Sequence, residues 1–448
     1  MDGEIELIKI REISTNEILD CIDRPKYNII DVRPTEAYNG WKENNEMRGG
    51  HIRGARNLPF KWLDYIDWIE IVISKGILPD HSLIVYGYDK VSVDKVANQF
   101  IRAGYKDVHV YYNFLEEWIN NDSLPMERLE RYQHLVSAEW IKSLIDKGDA
   151  LDFNNKKFVI CHAHYQNRKA YEDGHIPKAI DLDTNLLESS KTWNRRSPKE
   201  LKKALEGLGI THDTTVILYG RFSFPNNKDP FPGSSAGHLG AFRCAFIMMY
   251  AGVKDVRILN GGLQSWVDAG FETTKKEYYK KPVIDFGLKI PSHPEIAVDI
   301  EDAEKIIKSK NKNLVSVRSW REFIGEVSGY NYIDIKGRIP GAIFGNCGSD
   351  AYHMENYRNL DHTTREFHEI EKMWREVGIT PDKHNSFYCG TGWRGSEAFF
   401  NAWLMGWDNI SVFDGGWFEW SNNGKPFETG IPEKKSDKIK KTVEGKYL

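Results

Sequence analysis

One arrangement of residues in the chain is equipped for nucleophilic chemistry. In Ser386-Phe-Tyr-Cys389-Gly-Thr-Gly-Trp-Arg394-Gly-Ser-Glu397 a short apolar run ends on a cysteine and a compact loop follows, with glycines at 390 and 392. Apolar residues then recur at helical spacing from about Ser396 to Met405. A cysteine in that place lies below the converging N–H groups of a helix start. Those amides and the helix macrodipole favour an anion, so the thiolate is expected to be stabilised and the thiol pKa lowered. Arg394 closes the loop and adds a full positive charge. Two other readings compete. Cys389 could be a small buried hydrophobe, as most free cysteines are. Gly390-Thr-Gly392-Trp-Arg-Gly395 also matches the G-x-G-x-x-G dinucleotide fingerprint, with Asp414 ending the next apolar run near the expected offset.

The rest of the chain must position this loop. Its 448 residues suffice for about three domains with real cores, and 40% hydrophobic with 28% charged residues describes a globular protein. A formal net charge of −4 leaves no footprint for nucleic acid, and the lysine-rich stretch Lys434 to Lys441 reads as a solvated end. No apolar run reaches membrane-spanning length and no signal peptide opens the sequence, so the expected location is the cytoplasm. A periplasmic protein whose leader has been removed would read the same. The cysteines Cys21, Cys161, Cys244, Cys347 and Cys389 are too few and scattered for a disulfide framework.

An internal repeat organises the whole. Gly50-His-Ile-Arg-Gly-Ala55 recurs as Gly174-His-Ile-Pro-Lys-Ala179 and as Gly337-Arg-Ile-Pro-Gly-Ala342. Each copy follows an apolar strand-like run: Asn28 to Arg33, Lys157 to Cys161, Asn313 to Arg318. Each precedes a second run (Ser82 to Gly87, Thr215 to Gly220, Ser386 to Cys389), a helix and a third run (from Val108, Val256 and Ile410). Each unit closes on an aromatic turn ending at Trp118, Trp266 or Trp420. Strands alternating with helices predict an α/β fold of three tandem domains, each a mainly parallel sheet flanked by helices, over residues 1–130, 131–282 and 283–448. The joins fall in charged or proline-containing stretches, Met126 to His134 and Glu277 to Pro291. At the position of Cys389 the first unit has Gly87 and the second Gly220, where the loop from Arg221 to Gly240 has lengthened. Only the third unit therefore carries a nucleophile, and the dinucleotide fingerprint loses weight because it lies deep inside a domain that it should open.

The joint pattern resembles the rhodanese superfamily, and in particular bacterial three-domain rhodanese-like thiosulfate sulfurtransferases. It is carried by the Asp31-Val-Arg33 strand end, the three Gly-x-Ile segments, the Cys389 to Arg394 loop, and Asn260-Gly-Gly and Asp414-Gly-Gly before aromatics. Four residues between Cys389 and Arg394 match the short loop of sulfurtransferases, whereas rhodanese-fold phosphatases space five. The resemblance implies that Cys389 takes a sulfur atom from thiosulfate or 3-mercaptopyruvate as a persulfide and passes it to a thiol, a thiol protein or cyanide, without metal or organic cofactor. A persulfide carrier with little turnover on small donors is the alternative. The N–H groups of Gly390, Thr391, Gly392, Trp393 and Arg394 would cradle the terminal sulfur, and Arg394 would orient an anionic donor. Arg318 is expected near the donor, with Trp393, Trp320 and Trp417 as candidate pocket walls. Cys347 is weighed as a resolving thiol, and Cys161-His-Ala-His164 as metal ligands, which strand geometry disfavours. The sequence departs from the family in having Ser316 where the first unit has Asp31, and in lacking the pair of basic loop residues typical of thiosulfate rhodaneses. The two units without a cysteine at the loop position are left to cover the active-site mouth or to bind an acceptor protein.

Overall fold

The structure, a computed structural model, describes residues 10–44, 46–221 and 237–432. Most of the lengthened loop after Arg221, and the lysine-rich end, lie outside the described residues. The chain divides into two compact units, one reaching Tyr132 and one starting at Gln133. The first unit holds one five-stranded parallel sheet and the second holds two. The strand order is the same in all three. In the third sheet it runs Ala297–Val298, Ile410–Phe413, His384–Tyr388, Lys312–Ser316, Ile343–Phe344, with every pairing parallel. The repeats read from the sequence are thus three copies of one α/β topology.

Parallel strands covered by helices on both faces read as continuous apolar runs, and these do. In the first sheet Ile30, Leu83, Val85 and Val108 enter one core, while Ile29, Ile84 and Tyr86 enter the other. Period-two alternation here divides two interiors, not inside from outside.

The Gly-x-Ile segments recur because they tie the front of each sheet together. The strand-end arginine donates to the carbonyl of the segment's glycine, Arg33 to Gly50 O and Arg318 to Gly337 O, each at 2.7 Å. The isoleucine N–H donates to the tyrosine ending the second strand, Ile52 to Tyr86 and Ile176 to Tyr219, at 3.1 and 2.9 Å. The residue between stacks on an aromatic of the preceding short helix: His51 on Tyr38, His175 on Tyr171 and Arg338 over Phe323. In the third domain the second strand ends one residue before Cys389.

Two details differ from the sequence reading. The helix after the loop spans Trp393–Leu404, starting three residues before Ser396. Gly392, at φ +87°, turns the chain so that Trp393 is already helical, and Ser396 bonds back to Gly392 O through both its N–H and its Oγ, each at 2.8 Å. The strand before the loop is His384–Tyr388, so Cys389 stands just outside it.

Candidate active site

The loop is shaped by what lies beneath it. Trp417 N–H donates to Cys389 O at 2.8 Å and Phe418 N–H to Gly390 O at 2.9 Å, so the start of the Gly416–Asn422 helix takes both carbonyls. A Cβ on Gly416 would come within 2.6 Å of Cys389 O, which accounts for the Asp-Gly-Gly motif at this spot. With its carbonyls engaged below, the loop has amides to spare. Among the described residues the N–H groups of Gly390, Thr391, Gly392, Trp393 and Arg394 find no acceptor in the loop's surroundings. Free amides at a helix start, beside the buried Cys389, are groups that can serve an anion.

Arg394 faces inward. It donates to Glu322 Oε1 at 2.8 Å and Oε2 at 3.0 Å, to the Tyr330 hydroxyl at 2.7 Å, to Asp350 O at 3.0 Å and to Cys347 Sγ at 3.2 Å. Arg318 is fully buried and shares Glu322, its Nε lying 3.3 Å from Oε1, while its guanidinium stacks on Trp417. Arg318 is not among the residues lining the pocket, and Arg394 reaches it with its charge already paired. Both arginines expected to meet an anionic donor are therefore committed to one carboxylate. Burial acts to raise the pKa of Glu322, but Arg394 and Arg318 outweigh it and hold the group at about 2. The sequence reading missed Glu322, although Ser319-Trp-Arg-Glu322 has the spacing of a capping box, which the structure contains.

The pocket at the loop's mouth encloses about 400 Å³ counted to its opening, and aromatic rings dominate its walls. Thr391, Trp393 and Arg394 come from the loop, Tyr330, Tyr332, Ala351 and Tyr352 from elsewhere in the third domain, and Tyr165, Trp193 and Leu239 from the second. Of these only Thr391, Trp393 and Arg394 were read from the sequence. The signal for others was the close pair Tyr330-Asn-Tyr332 in a stretch with no helical or strand periodicity. The Tyr330 ring lies over Gly390, where an added Cβ would come within 2.2 Å of it. Burial holds the Tyr330 phenol well above its ordinary pKa, so it stays protonated, and Arg394 donates to its oxygen. The Tyr332 ring contacts those of Trp193 and Tyr330, at 5.2 and 5.3 Å between centroids.

The other expected positions fall outside the pocket. Trp320 packs with Phe323 and Phe344, and Trp417 lies in the third domain's core. Cys347 is buried behind Arg394, and burial pushes its thiol up to about 12. His164 Nε2 lies 2.7 Å from Asp181 Oδ1, while the next histidine back, His162, points into the second domain's core against Tyr219. Asp414, which a dinucleotide site would turn toward a ribose, is buried and bound by Arg243 at 2.6 Å and Arg195 at 2.8 Å.

No helix among the described residues is long and apolar enough to cross a membrane. The rhodanese-like domain family matches residues 14–121, 137–269 and 299–423. Thiosulfate sulfurtransferase YnjE of Escherichia coli K12 is 39% identical over 427 residues, 94% of this chain and 93% of its own. Wild-type EanB superposes with a TM-score of 0.92 at 58% identity, covering 95% of this chain and 99% of the other. The anaerobic ergothioneine biosynthesis enzyme from Chlorobium limicola, in complex with its natural substrate trimethyl histidine, gives 0.92 and 58%, over 95% and 100% of the two chains. Related EanB structures include a persulfide cysteine in a tetrahedral intermediate state with ergothioneine, and variants at a threonine two positions after that cysteine and a tyrosine fifty-nine before it. Another carries changes at two cysteines, forty-two and seventy-three positions before it. The chain belongs to the rhodanese family of sulfurtransferases and carries three tandem copies of its domain.

Proposed function

We propose that this sulfurtransferase holds sulfur as a persulfide on Cys389 and delivers it to the imidazole ring of trimethylhistidine (hercynine), giving ergothioneine. The observation that carries this reading is the aromatic pocket over the Cys389 loop, in a chain 58% identical to an enzyme solved with trimethyl histidine. Counting from Cys389, the positions varied in EanB correspond to Thr391, Tyr330, Cys347 and Ser316. Thr391 and Tyr330 both line the pocket.

The chemistry balances without a redox cofactor. The Cys389 thiolate attacks the outer sulfur of thiosulfate, an S–S bond forms, and sulfite leaves with the electron pair of the broken bond. The charged outer sulfur of the persulfide is held by the loop amides from Gly390 to Arg394. It then adds to the ring carbon between the two imidazole nitrogens. That carbon loses its proton, the carbon–sulfur double bond forms, and the pair from the broken S–S bond returns to Cys389. The sum is hercynine plus persulfide giving ergothioneine plus thiol. Tyr330, protonated and oriented by Arg394, is placed to give a proton to an imidazole nitrogen or to the departing Cys389 sulfur. Arg394 and Arg318 act through Glu322, which keeps the loop's flank rigid and charged, and not as direct clamps on a donor.

Thiosulfate as donor rests on the likeness to YnjE, and 3-mercaptopyruvate is the second donor to try. A thiol or cyanide would take the same sulfur, since both are nucleophiles small enough to reach the loop. The test is intact-protein mass spectrometry of wild type and Cys389→Ser after thiosulfate or mercaptopyruvate, followed by hercynine and detection of ergothioneine. The expected result is a gain of one sulfur, discharged by hercynine with ergothioneine formed, and neither event in the variant. Sulfur gained but discharged by cyanide alone would return the chain to a general thiosulfate sulfurtransferase. No gain with either donor would leave a carrier loaded by another protein.

A further inference from the structure

We infer that Tyr332 and Trp193 form an aromatic gate over the Cys389 loop, and that this gate decides which acceptor reaches the persulfide: a planar ring is admitted and a bulky aliphatic thiol is kept out. The inference rests on the persulfide reading of Cys389. A persulfide needs such protection, because any thiolate can attack its outer sulfur. A new S–S bond then forms, the electron pair of the old one returns to Cys389, and the sulfur is spent on the wrong acceptor without any oxidant. Cys389 is only 1% exposed beneath the pocket, so what stands over the loop governs who arrives at it.

The two rings come from different domains and meet nearly face to face, with centroids 5.2 Å apart and planes 23° apart. Their supports are unequal. Trp193 is the fixed half. It holds φ +62°, the left-handed region that a bulky residue adopts only when its surroundings impose it. Its backbone is kept there by Arg243, which donates to Trp193 O at 2.7 Å, and by its own N–H to Ser189 O at 2.8 Å. Beside it stands Trp393, with centroids 6.4 Å apart and planes at 77°. Trp393 is itself locked, its Nε1–H lying 3.0 Å from both oxygens of buried Glu188. Tyr332 is the moving half. At 37% it is the most exposed of the rings that line the pocket. The backbone around it is held, since Arg394 binds Tyr330 and Ile333 is buried in the third domain's core. Rotation of the Tyr332 side chain therefore opens the gate, without a shift of the segment that carries it. Opening costs the contact with Trp193. An imidazole repays that cost by stacking on the faces it uncovers, and a two-atom nucleophile such as cyanide passes through a narrow gap. A bulky aliphatic thiol does neither, so the gate stays shut against it.

The experiment loads wild type, Tyr332→Ala, Tyr332→Phe and Trp193→Leu with sulfur from thiosulfate, or from mercaptopyruvate, and removes the donor. Loss of the added sulfur is then followed by intact-protein mass spectrometry with cyanide and, separately, with glutathione. The readout is the ratio of the glutathione rate to the cyanide rate, which cancels any effect of a variant on the reactivity of the loop itself. The expected ratio is low in wild type and in Tyr332→Phe, which keeps the stack. In Tyr332→Ala and in Trp193→Leu it should rise about tenfold, the scale of one lost stacked pair. The two truncations open the gate from opposite sides, and the loaded mass shows that each variant is folded around its cysteine. If both truncations keep the wild-type ratio, the gate is wrong and the persulfide reading stands. If wild type gains no sulfur from either donor, both fall together.

Discussion

Around Glu322 the protein places two guanidiniums on one carboxylate, and all three groups are buried. That cluster has one positive charge in excess, which suits a loop built to hold an anionic sulfur. The first domain inverts the sign at the same strand end. There Arg33 is buried between Asp31 and Glu46, each at 2.6 Å, so one cation meets two carboxylates and an anion would be repelled. The exchange of Asp31 for Ser316 was legible in the sequence, but its consequence was not. What Ser316 removes is the carboxylate that would cancel the excess. The partner of Arg394 was hidden for a related reason, since a loop arginine shows its charge in sequence and conceals the carboxylate, Glu322, that pairs with it from seventy-two residues away. Because Glu322 is held at about 2 against 4.5 in the unfolded chain, its folded pKa is depressed. Its stabilisation is therefore present above pH 4.5 and is lost as pH falls toward 2. Melting followed from pH 5 to pH 3 should show wild type losing stability more steeply than Glu322→Gln, by an amount on the order of a few kcal/mol. The variant should be the less stable protein at pH 7, because two buried guanidiniums lose their counter-charge. Equal slopes would mean that the carboxylate is not held down by its arginines.

At the scale of elements, the strand, loop and helix around Cys389 were readable because apolar periodicity and glycine spacing report backbone geometry directly. The helix start was placed three residues late, since Ser396 has the composition of a cap while Gly392 makes the turn. Less visible was the segment from Ser328 to Tyr332, which has no regular structure to betray it and yet lays Tyr330 over the loop. Its anchors include Ser328 Oγ, which donates to Tyr330 O at 2.8 Å, Arg394, which holds the phenol, and ring contacts of Tyr332 with Trp193 and Phe418. The loop and this segment are therefore coupled through Gly390, whose missing side chain leaves room for the ring. Gly390→Ala should force the Tyr330 ring aside while leaving Cys389 in place. Single-turnover assays should find sulfur loading from thiosulfate nearly intact and transfer to hercynine slowed at least tenfold, as expected when a proton-handling group is displaced by an ångström. Loss of loading together with transfer would instead mean that the methyl group closes the cradle itself.

At the scale of the whole molecule, three copies of one fold were plain from the repeats, and Gly87 and Gly220 stand in two of them where the third has Cys389. What a repeat pattern cannot display is contact between copies. The second domain's Gly237–Ala251 helix packs on the Trp393–Leu404 helix through Phe242 against Phe400 and Phe246 against Phe399. From that same helix Arg243 reaches both Glu188 and Asp414, at 2.9 and 2.6 Å, with no side-chain exposure in any of the three. Arg243 thus joins the carboxylate that locks Trp393 to the aspartate that precedes the Gly415-Gly416 turn under Cys389. Burial pushes Glu188 up to about 7 despite this arginine, so the residue stands close to losing its charge if the pairing weakens. Arg243→Met keeps the volume and removes the pairing. The expected cost is roughly 3–5 kcal/mol for the unit that starts at Gln133, because buried carboxylates are left uncompensated. Below the melting range the variant should still load sulfur on Cys389, but its Trp393 should be freed, with a red-shifted tryptophan emission and a raised hercynine KM. The double change Arg243→Met with Glu188→Gln should recover part of the stability, since one stranded charge is then gone. If that second change recovers nothing, Asp414 alone depends on the arginine, and the second domain supports the loop from beneath without governing the ring above it.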